Sequence, residues 1–311
     1  MKALFDADII VFRAGFAAER NQWHLLVLVE DCKGGPPWEA PETYAYKKDA
    51  LARLDEVLPG QYSRTEGEQY RLWSERDLEP VSHATHNAKV LINKCLEAVD
   101  CTEFDAIMYL SGEGKNFRHE AAKTSVYKGN RDNKHRPTHE QAVRDYIRHS
   151  YETVVTDGIE ADDALGIAQK KYGPHESVII SLDKDLDMIP GLKYNFVNEV
   201  HYDVTPEIAW RKFCTQLLTG DAVDNIPGLK GVGVKKADTM LKDLHEEELM
   251  DEVLRQYASR TLHEDWYAYL IEQATLIWIQ QEPDQAPPIP TEEEWGTFGE
   301  EDAAVETDLY G

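Results

Sequence analysis

The chain is short of every feature that would tie it to a membrane, an oxidising compartment or a nucleophilic triad. No apolar run approaches the roughly 20 residues needed to cross a bilayer. The opening MKALFDADII carries acids inside its first apolar stretch and no small-residue cleavage signal, so no secretory leader is expected. Cysteine is scarce: Cys32, Cys95, Cys101 and Cys214 form no CxxC pair and have no partnering histidine ladder, which points to a reduced, cytoplasmic setting. The histidines are scattered with no HExxH spacing, disfavouring zinc hydrolysis. There is no GxxxxGK[ST] loop, hence no support for an ATPase, and no convincing serine–histidine–acid arrangement. Positive charge is also in deficit: 33 Lys and Arg face 58 Asp and Glu, a formal net charge of −25. A protein that coats DNA nonspecifically is therefore not expected, because phosphate binding is mainly cationic.

At 311 residues, 42% hydrophobic and 29% charged, the chain has the composition of a globular protein with room for one large domain or two modest ones. Its charge is unevenly placed. Residues 282–311 hold ten acids and no Lys or Arg, and are expected to form an acidic, disordered tail. Residues 115–136 reverse the balance, with Lys115, Arg118, Lys123, Lys128, Arg131, Lys134 and Arg136 against Glu120 and Asp132. A basic strip inside an acidic protein says more than the net charge.

Short β-rich runs followed by helical patterns predict an α/β fold with a mostly parallel sheet. Strands are expected at Ala3–Phe5, Ala106–Leu110, Thr153–Val155 and Val178–Ser181, with a weaker one at Tyr194–Val197. Helices are expected at Ala84–Val99, His139–His149 and Ala161–Lys171. From about Pro206 the strand signals stop, and Pro206–Leu218, Gly233–Leu244, Glu246–Tyr257 and Glu264–Ile279 predict an all-helical subdomain. The expected division is 1–204, 205–281 and the tail from 282. Within the first part, 20–100 stands apart: Trp23–Val29 and Glu66–Ser74 look like strands around a Gly/Pro-rich loop, Lys33–Pro41.

Acid clusters (FDAD, SGEG, GIEADD, SLDKD and GDAVDNIPG) follow apolar stretches, an arrangement that brings carboxylates to the edge of the sheet where ligands bind in open α/β folds. Nine candidates result: Asp6, Glu113, Glu160, Asp162, Asp163, Asp183, Asp185, Asp221 and Asp224. Hard oxygen donors in that number suit Mg²⁺, with Mn²⁺ able to substitute, and two clusters of them would serve two ions. Each acid also has a plain reading. Asp6 and Asp8 would cap a turn or helix, with Asp8 the more structural of the two. Asp162 and Asp163 would complement a helix dipole, and Glu113 would be a solvated loop acid. Three crowded carboxylates in GIEADD repel one another, which favours ligation.

In the basic strip, YKGNRD sets Lys128 and Arg131 around a glycine turn as candidates for contact with a scissile phosphate. Tyr127 would stack on a base or pack locally. A solvated loop is an equal alternative. Farther on, GLKGVGVKKA fits a helix-hairpin-helix: Gly231 and Gly233 allow close backbone approach, and the next helix start holds a phosphate with Lys230, Lys235 and Lys236 nearby.

Four motifs, YKGNRD, GIEADDALG, SLDKD and GDAVDNIPGLKGVGVKKA, resemble in order those of the 5′ nuclease superfamily, which includes flap endonucleases, the 5′ nuclease domain of bacterial DNA polymerase I and phage 5′→3′ exonucleases. The match covers residues 1–15 and roughly 105–245. The resemblance implies a PIN-like nuclease domain, α/β with a mostly parallel sheet flanked by helices, and a helical helix-three-turn-helix DNA-binding subdomain. It implies cleavage of phosphodiesters near 5′ ends, leaving 5′-phosphate and 3′-hydroxyl, with two Mg²⁺ ions on these acids and Lys128 and Arg131 steering the phosphate. Further contacts with DNA would come from Tyr127, Lys115, Arg118, Lys230, Gly231, Gly233, Lys235 and Lys236, and a K⁺ ion would sit in the Gly231–Val234 hairpin. The implied partners are DNA with free 5′ ends, nicks or flaps, RNA–DNA hybrids and replication proteins, for a monomer with no membrane association. Glu113 stands where the family has Asp, and 20–100 is longer than the family needs. Two other readings are removal of RNA from RNA–DNA hybrids and a non-catalytic branched-DNA-binding module.

Overall fold

In the computed structural model, residues 1–27, 40–59, 69–131 and 135–296 are described, Arg131 without its side chain. They fall into two compact units. One comprises the described residues of Met1–Ile9, Asn93–His135 and Ile147–Gly311, the other those of Ile10–Ile92 and Arg136–Tyr146.

The first unit holds a six-stranded sheet: β1 (Lys2–Asp6), β5 (Ala106–Leu110), β6 (Glu152–Val155), β7 (Ser177–Ile180), β8 (Gly191–Asn195) and β9 (Val200–Val204), in the order β6-β5-β1-β7-β8-β9. All neighbours are parallel except β8 and β9. β5 and β7 are buried at every position, as continuous apolar strands covered on both faces should be. β1 lies between β5 and β7, where the strand order reverses, and its C-terminal end is Asp6. This is the topological switch point at which ligands gather in such sheets. The expected α/β class and mostly parallel sheet are what the chain adopts.

Three elements depart from expectation. α1 (Ala7–Ala17) begins directly after Asp6, so Asp6 ends a strand against a helix rather than in a free turn. Its sequence, apolar apart from Asp8 and Arg13, presents no polar face and so carries no amphipathic period. β8 and β9 form an antiparallel hairpin where only Tyr194–Val197 was expected; β9, at the sheet edge with Val200 exposed, has a weak apolar signal. Finally, the described residues of 205–281 fall in the same compact unit as the sheet.

That helical part contains α7 (Pro206–Thr219), α8 (Val234–Leu241), α9 (Glu246–Arg260) and α10 (Trp266–Ile277), close to the predicted bounds. α7 starts cleanly because the Thr205 hydroxyl accepts from the Ile208 amide and Pro206 takes the first helical position. The helices enclose Phe213, Leu217, Val253, Leu254, Tyr257 and Leu270. Residues 282–296, expected to open a disordered tail, are placed: the Tyr267 hydroxyl donates to the Pro290 carbonyl at 3.0 Å, and Trp295 sits 5.5 Å from Trp266, ring to ring. Ile289 and Trp295 of this segment pack against the helical core. Residues 297–311 lie outside the described residues.

The second unit contains an antiparallel sheet, order β3-β2-β4, of β2 (Glu19–Val27), β3 (Glu42–Tyr44) and β4 (Tyr70–Leu78). α2 (Lys47–Val57) packs on it around Leu25, Leu54 and Tyr70. The two strands expected within 20–100 are therefore real, although β4 runs to Leu78; most of the Lys33–Pro41 loop lies outside the described residues. The remaining helices are α3 (Val81–Ala98), α4 (Phe117–Ala121), α5 (Glu140–Ser150) and α6 (Ala161–Tyr172). No described helix is long and apolar enough to cross a membrane.

Candidate active site

The first unit gathers carboxylates from four segments. Asp6 ends β1, Glu160 and Asp162 open α6, Asp183 and Asp185 follow β7, and Asp221 and Asp224 occupy the loop after α7. Tyr127, Glu160, Asp162, Asp185, Asp221 and Asp224 line one cleft. The loop after α7 is closed by reciprocal backbone hydrogen bonds between Asp221 and Ile226. Gly220 makes that closure possible: its φ is +68°, and a Cβ there would lie 2.2 Å from the Ile226 carbonyl oxygen.

The electrostatics are those of crowded anions. Asp6, 4% exposed, is pushed up to about 7, chiefly by burial and further by Asp8 and Asp183, against the Ser181 hydroxyl that donates to it at 2.7 Å. Burial, then Asp6, Asp183 and Glu160, drives the Asp162 carboxyl well above the carboxylate range. Asp183, whose side chain still meets solvent at the rim, is raised by partial withdrawal from water and by Asp185 and Asp224. Asp221 is raised by burial and by Asp224 and Asp185. Glu160 goes the other way: burial opposes its ionisation, but Lys128 and Arg118 outweigh it.

Lys128 explains that reversal. Its Nζ is 2.7 Å from Glu160 Oε1 and 3.5 Å from Asp224 Oδ2. Its backbone is left-handed, φ +56°, a conformation non-glycine residues adopt only when held. The hold comes from the loop after α7, where the Asp224 carbonyl accepts the Lys128 amide at 2.9 Å. Asn130 Nδ2 donates to the Ala222 carbonyl and Asn225 Nδ2 to the Val126 carbonyl, closing the seam. Arg131 is near in sequence, but its side chain is outside the described residues.

Several expected site residues take other roles. Tyr127 is 4% exposed and donates its hydroxyl to Glu160 and Asp224 at 3.2 Å, so it packs inside instead of offering a face to a base. Arg118, expected at a DNA surface, is 2% exposed and makes a two-pronged ion pair with Asp163, which is fully buried. That pairing also removes Asp163 from the expected ligand set: its oxygens already accept from Arg118, the Glu160 amide and the Gln280 amide. Glu113 is exposed in its loop. Lys115 is exposed as well. In the hairpin, Lys230, Gly231, Gly233, Lys235 and Lys236 are all exposed, Gly231 has φ +75°, and Gly233 caps α8.

Sequence reasoning missed the supporting polar groups. Asn116 Nδ2 donates to Glu160 at 2.6 Å, the Ser111 amide donates to Asp8, and Lys212 and Gln216 donate to Asp185 at 3.1 and 3.0 Å. Lys212 and Gln216 stand four apart on α7, a spacing that would have put both on one helix face had an acid opposite been known.

Among the described residues no three His, Cys, Asp or Glu already form a closed metal cage. The donor set still fits a hard divalent cation: it is all oxygen, and its carboxyls are raised by mutual repulsion that a bound cation relieves.

No family model matches the sequence. Thermostable DNA polymerase I of Thermus aquaticus is 30% identical over 182 residues, 53% of this chain and 21% of the polymerase. The 5′-3′ exonuclease of Aquifex aeolicus is 34% identical over 96 residues, 27% of this chain and 33% of that protein. The chain thus matches about a fifth to a third of the length of these curated relatives. Among solved structures, the T5 D15 protein co-crystallised with metal ions aligns at a TM-score of 0.45 and 21% identity, covering 61% of this chain and 82% of that one.

Proposed function

We propose that this chain, which belongs to the 5′ nuclease superfamily, is a divalent-metal-dependent 5′→3′ exonuclease and flap endonuclease. Its substrates are DNA strands with free 5′ ends, nicks or flaps, and its products carry 5′-phosphate and 3′-hydroxyl. The observation that carries the reading is the convergence of acids from the start of α6, the segment after β7 and the loop after α7 on one cleft, with Asp6 at the switch point of the sheet acting on Asp162. Asp6, Glu160, Asp162, Asp183, Asp185, Asp221 and Asp224 would hold two Mg²⁺ ions. When bound, such ions lower the pKa of water and offset charge on the phosphate oxygens.

The chain's own residues do the remainder. Glu160 is oriented by Asn116, Tyr127 and Lys128, which leave its carboxylate little freedom. Lys128, fixed beside the acids, supplies a cation for the charge that builds on the phosphate during cleavage. The exposed hairpin of Lys230, Gly231, Gly233, Lys235 and Lys236 grips duplex backbone with amides and ammonium groups, and a K⁺ ion at Gly231–Val234 would strengthen that grip. Replication proteins are the expected partners, in the cytoplasm of a bacterial or phage-infected cell.

The test is cleavage of a 5′-labelled flapped duplex and a nicked duplex, with DNA or RNA as the labelled strand, in Mg²⁺ or EDTA. Metal-dependent products absent from Asp183→Asn support the reading, and their lengths separate flap cutting from stepwise digestion. Tight binding with no cleavage in Mg²⁺ or Mn²⁺ refutes it in favour of a binding module.

A further inference from the structure

Arg118, which lines the cleft, forms a buried ion pair with Asp163. Arg118 Nη1 and Nη2 lie 2.6 and 2.8 Å from the two oxygens of Asp163. The same guanidinium donates through Nε to the Leu276 carbonyl at 3.1 Å and through Nη2 to the Trp278 carbonyl at 2.5 Å. Asp163 accepts two backbone amides besides, from Glu160 and Gln280, each at 3.0 Å. One ion pair therefore joins three stretches of chain: α4, the first turn of α6, and the segment leaving α10.

A pair this buried is an uncertain source of stability, since desolvation offsets its attraction. What it does specify is geometry. The Asp163 carboxylate receives the amide of Glu160, fixing the residue that opens α6 in extended conformation, with Asp162 two positions on. Asn116, which precedes α4, donates to the Glu160 side chain, so the helix bearing Arg118 also aims the carboxylate that Arg118 Nη1 approaches to 4.0 Å. On the other side, a Cβ at Gly166 would lie 2.3 Å from the Gln280 carbonyl oxygen, so α6 and the segment after α10 touch backbone to backbone.

We propose that Arg118 and Asp163 are positioning residues for the cleft, locking the start of α6 against the 276–280 segment so that Glu160 and Asp162 are presented to a divalent cation. The proposal rests on the nuclease reading for the identity of that cation's task, and it makes 276–280 part of the site's support although none of its residues is an acid of the cleft.

The experiment compares the full chain with Arg118→Met/Asp163→Leu, which replaces the pair by apolar groups of similar bulk. Arg118→Lys serves as the milder variant, keeping the charge without the planar fork. Folding is followed by circular dichroism and thermal melting, and Mn²⁺ affinity by calorimetry or electron paramagnetic resonance without DNA. The expected result is a folded double variant whose Mn²⁺ affinity drops by ~10-fold or more, the range seen when groups supporting metal ligands are removed. Arg118→Lys should fall between the two, and in both variants kcat on the flapped duplex should fall with KM unchanged. If the double variant does not fold, Arg118→Lys alone carries the comparison. Mn²⁺ affinity within twofold of the parent in a folded variant overturns the proposal and leaves the pair purely structural. A parent chain that neither binds Mn²⁺ nor cuts DNA overturns the nuclease reading instead, which keeps the two failures apart.

Discussion

Replacing Lys193 with Met should stabilise the protein, and by an amount that depends on pH. Lys193 lies on β8, 3% exposed, and its Nζ is buried without a hydrogen-bond partner. Burial lowers its pKa from 10.5 to about 7, outweighing Asp187 and Asp203, which favour the ammonium. Below about pH 7 the lysine is charged in both folded and unfolded chains, so the folded state bears the full cost of burying it. Between about 7 and 10.5 the folded chain is neutral there while the unfolded chain still binds the proton, and the cost shrinks as pH rises. At about 1.4 kcal/mol for each pH step, the full cost is a few kcal/mol. Lys193→Met keeps the length of the side chain and removes the charge. Urea denaturation at pH 6, 7.5, 9 and 10 should show the variant more stable by a few kcal/mol at pH 6, with the gap closing steadily to pH 10. A gap that does not change with pH, or a variant less stable at pH 6, would refute the reasoning.

Asp183→Asn should remove cleavage and raise stability in EDTA by about 1 kcal/mol, because it relieves repulsion from Asp185 and Asp224; a lower melting temperature would count against crowding. Gly220→Ala should cost at least ~2 kcal/mol and reduce activity, since its Cβ meets backbone and the loop it disturbs carries Asp221 and Asp224. An unchanged melting curve would show that the loop gives way easily. Lys235→Ala/Lys236→Ala should leave stability within about 0.5 kcal/mol, both side chains being exposed. It should weaken duplex binding and flatten the dependence of log affinity on log salt by about two. An unchanged slope in a gel-shift titration would place the duplex elsewhere.

Much of this was legible in residue order, for a physical reason. A strand buried on both faces is a run such as AIMYL or SVII, and an acid just after it stands at the sheet edge by geometry alone. Asp6 and Asp183 are found that way, whereas Glu113, which follows AIMYL, stays exposed in its loop and Asp162 opens α6 after the more exposed β6. What failed to show was pairing across distance. Arg118 sits in a basic strip and reads as a surface cation, yet one buried acid, Asp163, takes it 45 positions away. Nothing in a local window distinguishes GIEADD with three ligands from GIEADD with two ligands and a clamp. Tyr127 was ambiguous for the same reason, since both the stacking and the packing reading fit YKGNRD. β9 and α1 escaped because one is a half-exposed edge strand and the other has no polar face to set a period.

The distribution of the chain's cations divides the acids into two classes. Lys128 serves Glu160 and Asp224, Lys212 serves Asp185, and Arg118 serves Asp163. No basic side chain among the described residues lies within ion-pair distance of Asp6, Asp162, Asp183 or Asp221, and these are the carboxyls pushed upward. A protein with a net charge of −25 has the least reason to leave four more anions facing one another, because each costs stability that a neutral residue would not. The expense makes sense where an external cation completes the balance. The ammonium of Lys128, carried on a left-handed backbone, stands beside Glu160 and Asp224 among these acids. Charge placement, more than any single motif, is what supports the proposal that the cleft takes cations and phosphates together.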